Sequence, residues 1–473
     1  MKKEARQANL SEALIVFGLL IAVMFISIFH YGVDPHIPMF IGVIIAAVVA
    51  LLIGHPWKDI EGYMIHGITQ ALQSVVILAI IGILIGVWIL AGVVPTMISY
   101  GLNILSPRIF LPAAVIITSI TSLATGTSWG TMGTMGIALM GIATGLGIPA
   151  PVTAGAVISG AYFGDKMSPL SDTTNLAPAM AGTDLFSHIK MMMVPTSITY
   201  GISLIAFFVL GLQYGTGTSD MSIITEIQNG LHAQFQISPL LLLPPVLVIV
   251  LIARKMPAIP GIVIGILSAA ILAPIFQSAN FGDLLSAAYS GYDSTTGIEA
   301  IDGLLSNGGL ENMMYSISLT IIAMMFGGIA ESTGLLAVLL GVILQRIRSA
   351  AGLVAATVVS AIFSNCAMPE QYISIVVPGR MFNQAYTDKD VHPKTLSAAL
   401  EGGGTVTSAL VPWNTCGAFI KNTLGVSTFS YAPFAIFNWL MPVMTFVLAF
   451  VGPAVEYMTQ EQKETKLRNG FVE

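Results

Sequence analysis

Charge is what this sequence has least of. Of its 473 residues, only 9% are Asp, Glu, Lys or Arg, against roughly 25% in ordinary soluble domains. A chain this poor in charge cannot present water-compatible surface on all sides, which excludes a freely soluble globule. Cysteine is scarce as well. Cys366 and Cys416 stand without ligand spacing around them, so neither a disulfide framework nor a thiolate cluster is expected, and both read as small apolar packing residues. The net charge of −6 is scattered through loops and tails, which leaves no basic face for nucleic acid. No cofactor is expected.

Apolar surface takes the place of charge. The chain is 55% hydrophobic with a mean hydropathy of +0.85. Runs of about 20 apolar residues, each long enough to cross about 30 Å of hydrocarbon, recur from Leu14 almost to Val451. The class is therefore an all-α polytopic membrane protein, with the lipid bilayer as its main solvent. The stretch MKKEARQANLSEALIVFGLL carries no small-residue cleavage site and reads as a retained first helix.

Comparing the chain with itself reveals repetition. Pro151, Thr153, Ala156 and Gly160 match Pro393, Thr395, Ala398 and Gly402, each pair 242 positions apart. The same offset carries Gly67 to Gly309, Ser74 to Ser316, Gly86 to Gly328 and Gly92 to Gly334. Further upstream, IPMFIGVIIAAVVALLIG from Ile37 resembles IPGIVIGILSAAILAP from Ile259 at an offset of 222, and the polar stretch Ser290 to Gly308 accounts for the 20 added residues. Each half is expected to supply five crossings, at 12–31, 37–54, 73–94, 152–180 and 189–211 in the first. A sixth segment, Leu111 to Ile148, is too rich in Thr, Ser and Gly to face lipid and is expected to be a re-entrant hairpin. An odd number of crossings turns the second copy upside down. The resulting division is residues 1–212 as the first inverted repeat, 213–238 as an external linker, 239–452 as the second repeat and 453–473 as a tail.

Basic residues test that topology, because they accumulate in cytoplasmic loops. With the N-terminus inside, Lys2, Lys3, Arg6, Lys58, Lys190, Arg254, Lys255, Arg346, Arg348, Arg380, Lys389, Lys394, Lys463, Lys466 and Arg468 fall inside, and only Arg108 and Lys421 fall outside. Both termini are then cytoplasmic.

Ionisable groups at membrane depth are costly and mark function. The densest set is the stretch from Gly164 to Asn175, GDKMSPLSDTTN, inside an otherwise apolar crossing. Pro169 removes a backbone donor and should break the helix there. Asp172 sits at that break and is the first choice for a group that holds cation and proton in turn. Asp165, Thr173 and Asn175 supply further hard oxygens suited to a small hard cation. The bland alternatives are an Asp165–Lys166 pair and a helix-capping Asp172. At the equivalent of Asp172 the second half has Asn414, followed by Thr415, so that half offers neutral oxygens. The expected hairpin tips add Thr127 and Ser128 in the first half and Ser364, Asn365 and Glu370 in the second. Glu331 and Glu401 are candidate proton relays, and His30, His36 and His66 read as interface residues without a role.

At GDKMSPLSDTTNLAP and ATGTSWGT the sequence resembles the NhaC family of bacterial sodium/proton antiporters, over nearly the whole chain. The resemblance implies paired inverted repeats with two re-entrant hairpins and two broken helices. It also implies exchange of Na+ for H+, both transported rather than resident, with Asp172, Thr173 and Asn175 as sodium ligands. It supports Asp165, Asp172, Thr173 and Asn175, and more weakly Thr127 and Ser128. The family also includes members resembling exchangers of malate and protons for sodium and lactate; for such an anion, Lys166 and Arg380 are the basic contacts on offer. An enzyme is not expected, since a break separates Asp165 from Asp172. A homodimer is compatible with such folds.

Overall fold

The computed structural model describes residues 5–214, 221–254, 256–295, 302, 305–345, 347–368, 370–452 and 454–463. Lys2, Lys3, Lys255, Arg346, Pro369, Lys466 and Arg468 lie outside the described residues, as does part of the Ser290 to Gly308 stretch. Among the described residues the chain is helical, and its one β feature is an isolated bridge between Val391 and Tyr457. Seven helices are long and apolar enough to cross a membrane, or nine if two bent pairs each count as one span. Ten crossings were expected. The shortfall arises because several apolar helices are short: His36–Leu52, Val93–Ile104 and Leu335–Gln345 stop before 18 residues.

Local chemistry explains where the important helices stop. Pro107–Thr125 has a proline at its first turn and ends at Gly126, whose φ of 68° is left-handed. The expected broken segment Leu111 to Ile148 is thus two helical runs joined at Gly126 and Thr127, and the first run alone is 19 residues. Ala150–Met167 ends because Pro169 forces the backbone before it out of the helical region, leaving Ser168 extended at φ −82°, ψ 127°. Helix Asp172–Ala181 then restarts, capped by Ser171, whose hydroxyl accepts from the Thr174 N–H at 3.4 Å. In the second half, Pro393–Leu400 runs through a π turn, Glu401–Thr405, and a short 3-10 turn, Ser408–Leu410. After Pro412 the chain restarts as Thr415–Leu424, capped by Asn414.

The halves share more than sequence. Leu72–Leu90 and Leu310–Ser332 each end two residues before a left-handed glycine, Gly92 at φ 80° and Gly334 at φ 75°, 242 positions apart. Gly67 lies so close to Gly328 that a Cβ would collide with its backbone, and a Cβ on Gly86 would stand 3.1 Å from the Gly309 nitrogen. Moving each member of the first contact by 242 positions yields the second. Helices Trp57–Gln70 and Leu72–Leu90 therefore meet Leu310–Ser332 through matched small residues, and the Gly309 N–H donates to the Gly82 carbonyl at 2.6 Å.

Two segments depart from expectation. The stretch 213–238 is not a plain loop. It contains helix Met221–Gln234, whose Gln228 amide donates to Asn103 at 2.9 Å. The end of the chain is docked as far as it is described: the His392 N–H donates to the Glu456 carbonyl at 2.8 Å, and Lys463 pairs with Asp390 at 2.8 Å.

Candidate ion site

The first break and the tip at Gly126 and Thr127 meet because two helices lie almost backbone to backbone. Gly160 and Gly164 of Ala150–Met167 leave no room for a Cβ against Val115 and Ser119 of Pro107–Thr125, and the Ser122 hydroxyl donates to the Ala161 carbonyl at 2.6 Å. Gly126 itself touches Leu170, whose carbonyl carbon would stand 2.6 Å from an added Cβ. This brings the Ser128 N–H to the Asp165 carboxylate, donating at 3.1 Å. Asp165 is buried, and the Ser171 hydroxyl lies beside it.

Between tip and break is a cavity of about 30 Å³ lined by Asp165, Asp172, Ser74, Thr127, Ser128, Ser171, Thr173, Gln371 and Tyr372 among others. That volume holds about one or two water-sized bodies. Its polar lining is dominated by oxygen, from two carboxylates and several hydroxyls, the donor set of a small hard cation. Asp172 opens the second helical segment, where a negative charge is favoured by the helix dipole. It accepts from the Gln73 amide at 3.2 Å and the Tyr372 hydroxyl at 3.4 Å. Its side chain is exposed to a second cavity of about 500 Å³, reaching Met256 and Pro257, so it stands at a doorway rather than in a sealed interior.

From the cavity a hydroxyl chain runs inward. Ser171 and Thr173 are 3.2 Å apart, and Thr173 donates to Glu401 Oε1 at 3.1 Å. Glu401 is fully buried, and its Oε2 has no partner.

Several expected residues lie elsewhere. Asn175 is turned away: it donates to the carbonyls of Pro169 and Ser171 at 2.9 and 2.7 Å, holding the break together from outside the cavity. Lys166, the expected basic contact for an anion, lines none of the cavities described here. It is wholly buried, and its Nζ meets Met192 Sδ at 3.1 Å, because its helix face points into packed protein. It makes no ion pair with Asp165, whose carboxylate is turned to the tip instead. In the second half, Ser364 bonds back to the Ser360 carbonyl at 2.8 Å. Asn365 donates to the Gly404 carbonyl at 2.6 Å and to Thr407 at 3.0 Å, and receives Asn414 at 3.2 Å. Asn414 in turn accepts from the Cys416 N–H at 3.1 Å and Thr415 at 3.4 Å. These groups satisfy one another and line none of the cavities described here.

Glu331 and Arg380 border a third cavity, of about 310 Å³, together with Glu370, Gln70, Gln73 and Tyr372. Glu331 is half-buried and accepts from Gln70 at 3.1 Å. Sequence reasoning missed Gln73, Ser74, Gln371 and Tyr372. Ser74 carried a signal, since it recurs as Ser316 within apolar helices, whereas Gln73 reads as an ordinary helix-end residue. Among the described residues, no three His, Cys, Asp or Glu side chains converge as a multivalent metal would require.

The all-helical membrane fold, with carboxylates gathered at a helix break, defines a secondary transporter of small ions. The Na+/H+ antiporter family profile matches residues 160–453, and the chain belongs to that family. It is 41% identical over 451 residues to the Na+/H+ antiporter NhaC of Alkalihalophilus pseudofirmus, covering 95% of this chain and 97% of the relative. It is 39% identical to the malate-2H+/Na+-lactate antiporter of Bacillus subtilis, covering 96% and 97%. It is also 39% identical to the NhaC Na+/H+ antiporter of that organism, covering 93% and 97%.

Proposed function

We propose that this protein exchanges Na+ for H+ across a bacterial plasma membrane by alternating access. The observation that carries this reading is the pair Asp165 and Asp172 facing one cavity of about 30 Å³. Two carboxylates at membrane depth need compensating positive charge, and a space this small admits an ion stripped of most of its water or a proton, not an organic molecule. Sodium and protons therefore compete for the same carboxylates, which is the physical basis of exchange. Thr173 and Glu401 give a proton leaving the cavity a hydrogen-bonded route of two acceptors.

The two halves are inverted copies, with the termini and most basic residues in the cytoplasm. The matched glycine contacts support a two-fold relation between them. On that topology, the cavities of about 310 and 500 Å³ open beside Arg380, Met256 and Pro257, so the conformation is open to the cytoplasm. The opposite face is closed where Lys421 reaches Asp34 and Tyr315 at 2.9 and 3.0 Å.

In proteoliposomes with an imposed pH gradient, Asp172→Asn should abolish sodium-dependent proton movement, and unaltered exchange would remove Asp172 from the site. The relative named for malate and lactate motivates a second arm, in which flux is measured with and without each acid. Exchange independent of both is expected, because Lys166 is sealed in protein and carboxylates outnumber Arg380 in the cavity of about 310 Å³.

A further inference from the structure

The tip of the second half reaches into the ion cavity. Gln371, 6% exposed, opens helix Gln371–Asp388 and lines the cavity of about 30 Å³ together with Asp165 and Asp172. The residue 242 positions earlier, at the tip of the first half, is Trp129, whose ring stacks on Phe419 of Thr415–Leu424 at 4.8 Å. Each tip therefore sends this side chain across to the other repeat's broken helix. The first delivers an indole to an aromatic ring, and the second delivers an amide to two carboxylates.

Which end of that amide meets the cavity follows from a hydrogen count. The two ends have the same shape, so the hydrogens of their neighbours assign them. One end lies 3.2 Å from Ser408 Oγ and 3.2 Å from Cys416 Sγ; with Oε1 there, both groups would have to donate. Ser408 has a single hydrogen, and the Thr405 carbonyl takes it at 2.6 Å. Only lone pairs are left for Gln371. The Cys416 thiol is a weak donor and also a weak acceptor. The NH2 end fits this corner, its two hydrogens meeting two acceptors. At the cavity end the NH2 would go unpaired: among the described residues no oxygen accepts from it, although Asp165 and Asp172 line the same space.

We propose that the side-chain carbonyl of Gln371 is a sodium ligand, supplied by the second repeat and held toward the cation by Ser408 and Cys416. The inference rests on the sodium site read above and adds to it a neutral oxygen from the other half. Two carboxylates already exceed the charge of the ion, so an uncharged oxygen completes its shell, as carbonyls do in ion filters, without adding to the cost of the empty site. Sodium needs several oxygens at once, whereas a proton needs one. Gln371 therefore acts on sodium affinity and on the choice between cations.

The test is equilibrium binding of 22Na+ to purified full-length protein at alkaline pH, with Li+ as competitor. Gln371→Leu should weaken 22Na+ binding about 10- to 100-fold, the scale of a polar contact to a charge. It should also shift the cation preference toward Li+ by about threefold or more, since fewer ligands suit the smaller ion. If Gln371→Leu does not fold, Gln371→Asn takes its place; it keeps the amide, withdraws the oxygen by one methylene and should move both quantities the same way. Wild-type affinity in the folded variant overturns the proposal, because an amide with its NH2 end in the cavity gives sodium nothing to lose. Weakened binding with an unchanged or lowered Li+ preference overturns it as well, since that marks a purely structural role. Asp172→Asn separates this failure from that of the site. If Asp172→Asn binds 22Na+ as wild type does, the cavity is not the sodium site and both readings fall; if it loses binding while the Gln371 variant keeps it, the Gln371 proposal falls alone.

Discussion

The two breaks, 242 positions apart, are built alike and used differently. In the first half the tip and the break enclose a cavity with two carboxylates in its wall. In the second, Asn365, Thr407 and Asn414 fill the same relation with mutual hydrogen bonds. Asp172 becomes Asn414, and the change from charge to amide converts a site into a lock. One repeat can keep the architecture rigid while the other carries unpaired charge, because a satisfied polar network stiffens a fold and an unsatisfied one invites a ligand. The difference continues to the far end of the broken helices: Lys421 ends the second one, tied to Asp34, whereas its counterpart in the first is Ala179.

This comparison yields expectations in descending size. Asp165→Asn should weaken 22Na+ binding at least about 100-fold, since removing one member of a buried charge constellation costs roughly 3–5 kcal/mol; Thr407→Asp, its counterpart experiment in the lock 242 positions on, should create no sodium site. Gly126→Ala should rank second. It places a side chain in left-handed backbone and against Leu170, costing about 1–2 kcal/mol from the backbone alone, and exchange in vesicles should fall with it. Asn414→Ala orphans buried partners and should lower unfolding stability by about 1–3 kcal/mol. Sodium affinity in that variant should stay within about twofold, and a larger loss would show that the lock is itself a ligand.

Thr173→Val keeps shape while cutting the link to Glu401. It should shift the pH profile of exchange more than it changes sodium affinity at high pH, where protons do not compete. The smallest effect belongs to Asp34→Asn. The Lys421 ammonium, and then the Tyr315 hydroxyl, hold the Asp34 carboxyl below its ordinary pKa. A depressed acid stabilises the fold at pH above the ordinary carboxylate range, and that contribution fades as pH falls through the lowered value. Both side chains are well exposed, at 44% and 59%, so thermal unfolding at neutral pH should register no more than about 1 kcal/mol.

Composition alone was enough to read the helical membrane class, and Pro169 announced the first break because proline acts locally. The offset of 242 was legible because small residues recur wherever helices touch backbone to backbone. Side-chain direction was not legible. Asn175 and Thr173 are two positions apart, yet one bonds the outside of the break and the other faces Glu401. Lys166 and Asp165 are adjacent, yet they point to Met192 and to Ser128. Gln73 and Tyr372 reach Asp172 from helices 99 and 200 positions away, a juxtaposition that no local pattern encodes. Helix Val93–Ile104 was missed because 12 residues give too short an apolar run to stand out from its neighbours.

Equilibrium binding of 22Na+ to purified protein, titrated against pH, reaches the central claim most directly. Wild-type protein should bind sodium and release it as pH falls, Asp165→Asn and Asp172→Asn should each lose that binding, and Asn414→Ala should keep it. Wild-type affinity in both aspartate variants would contradict the account.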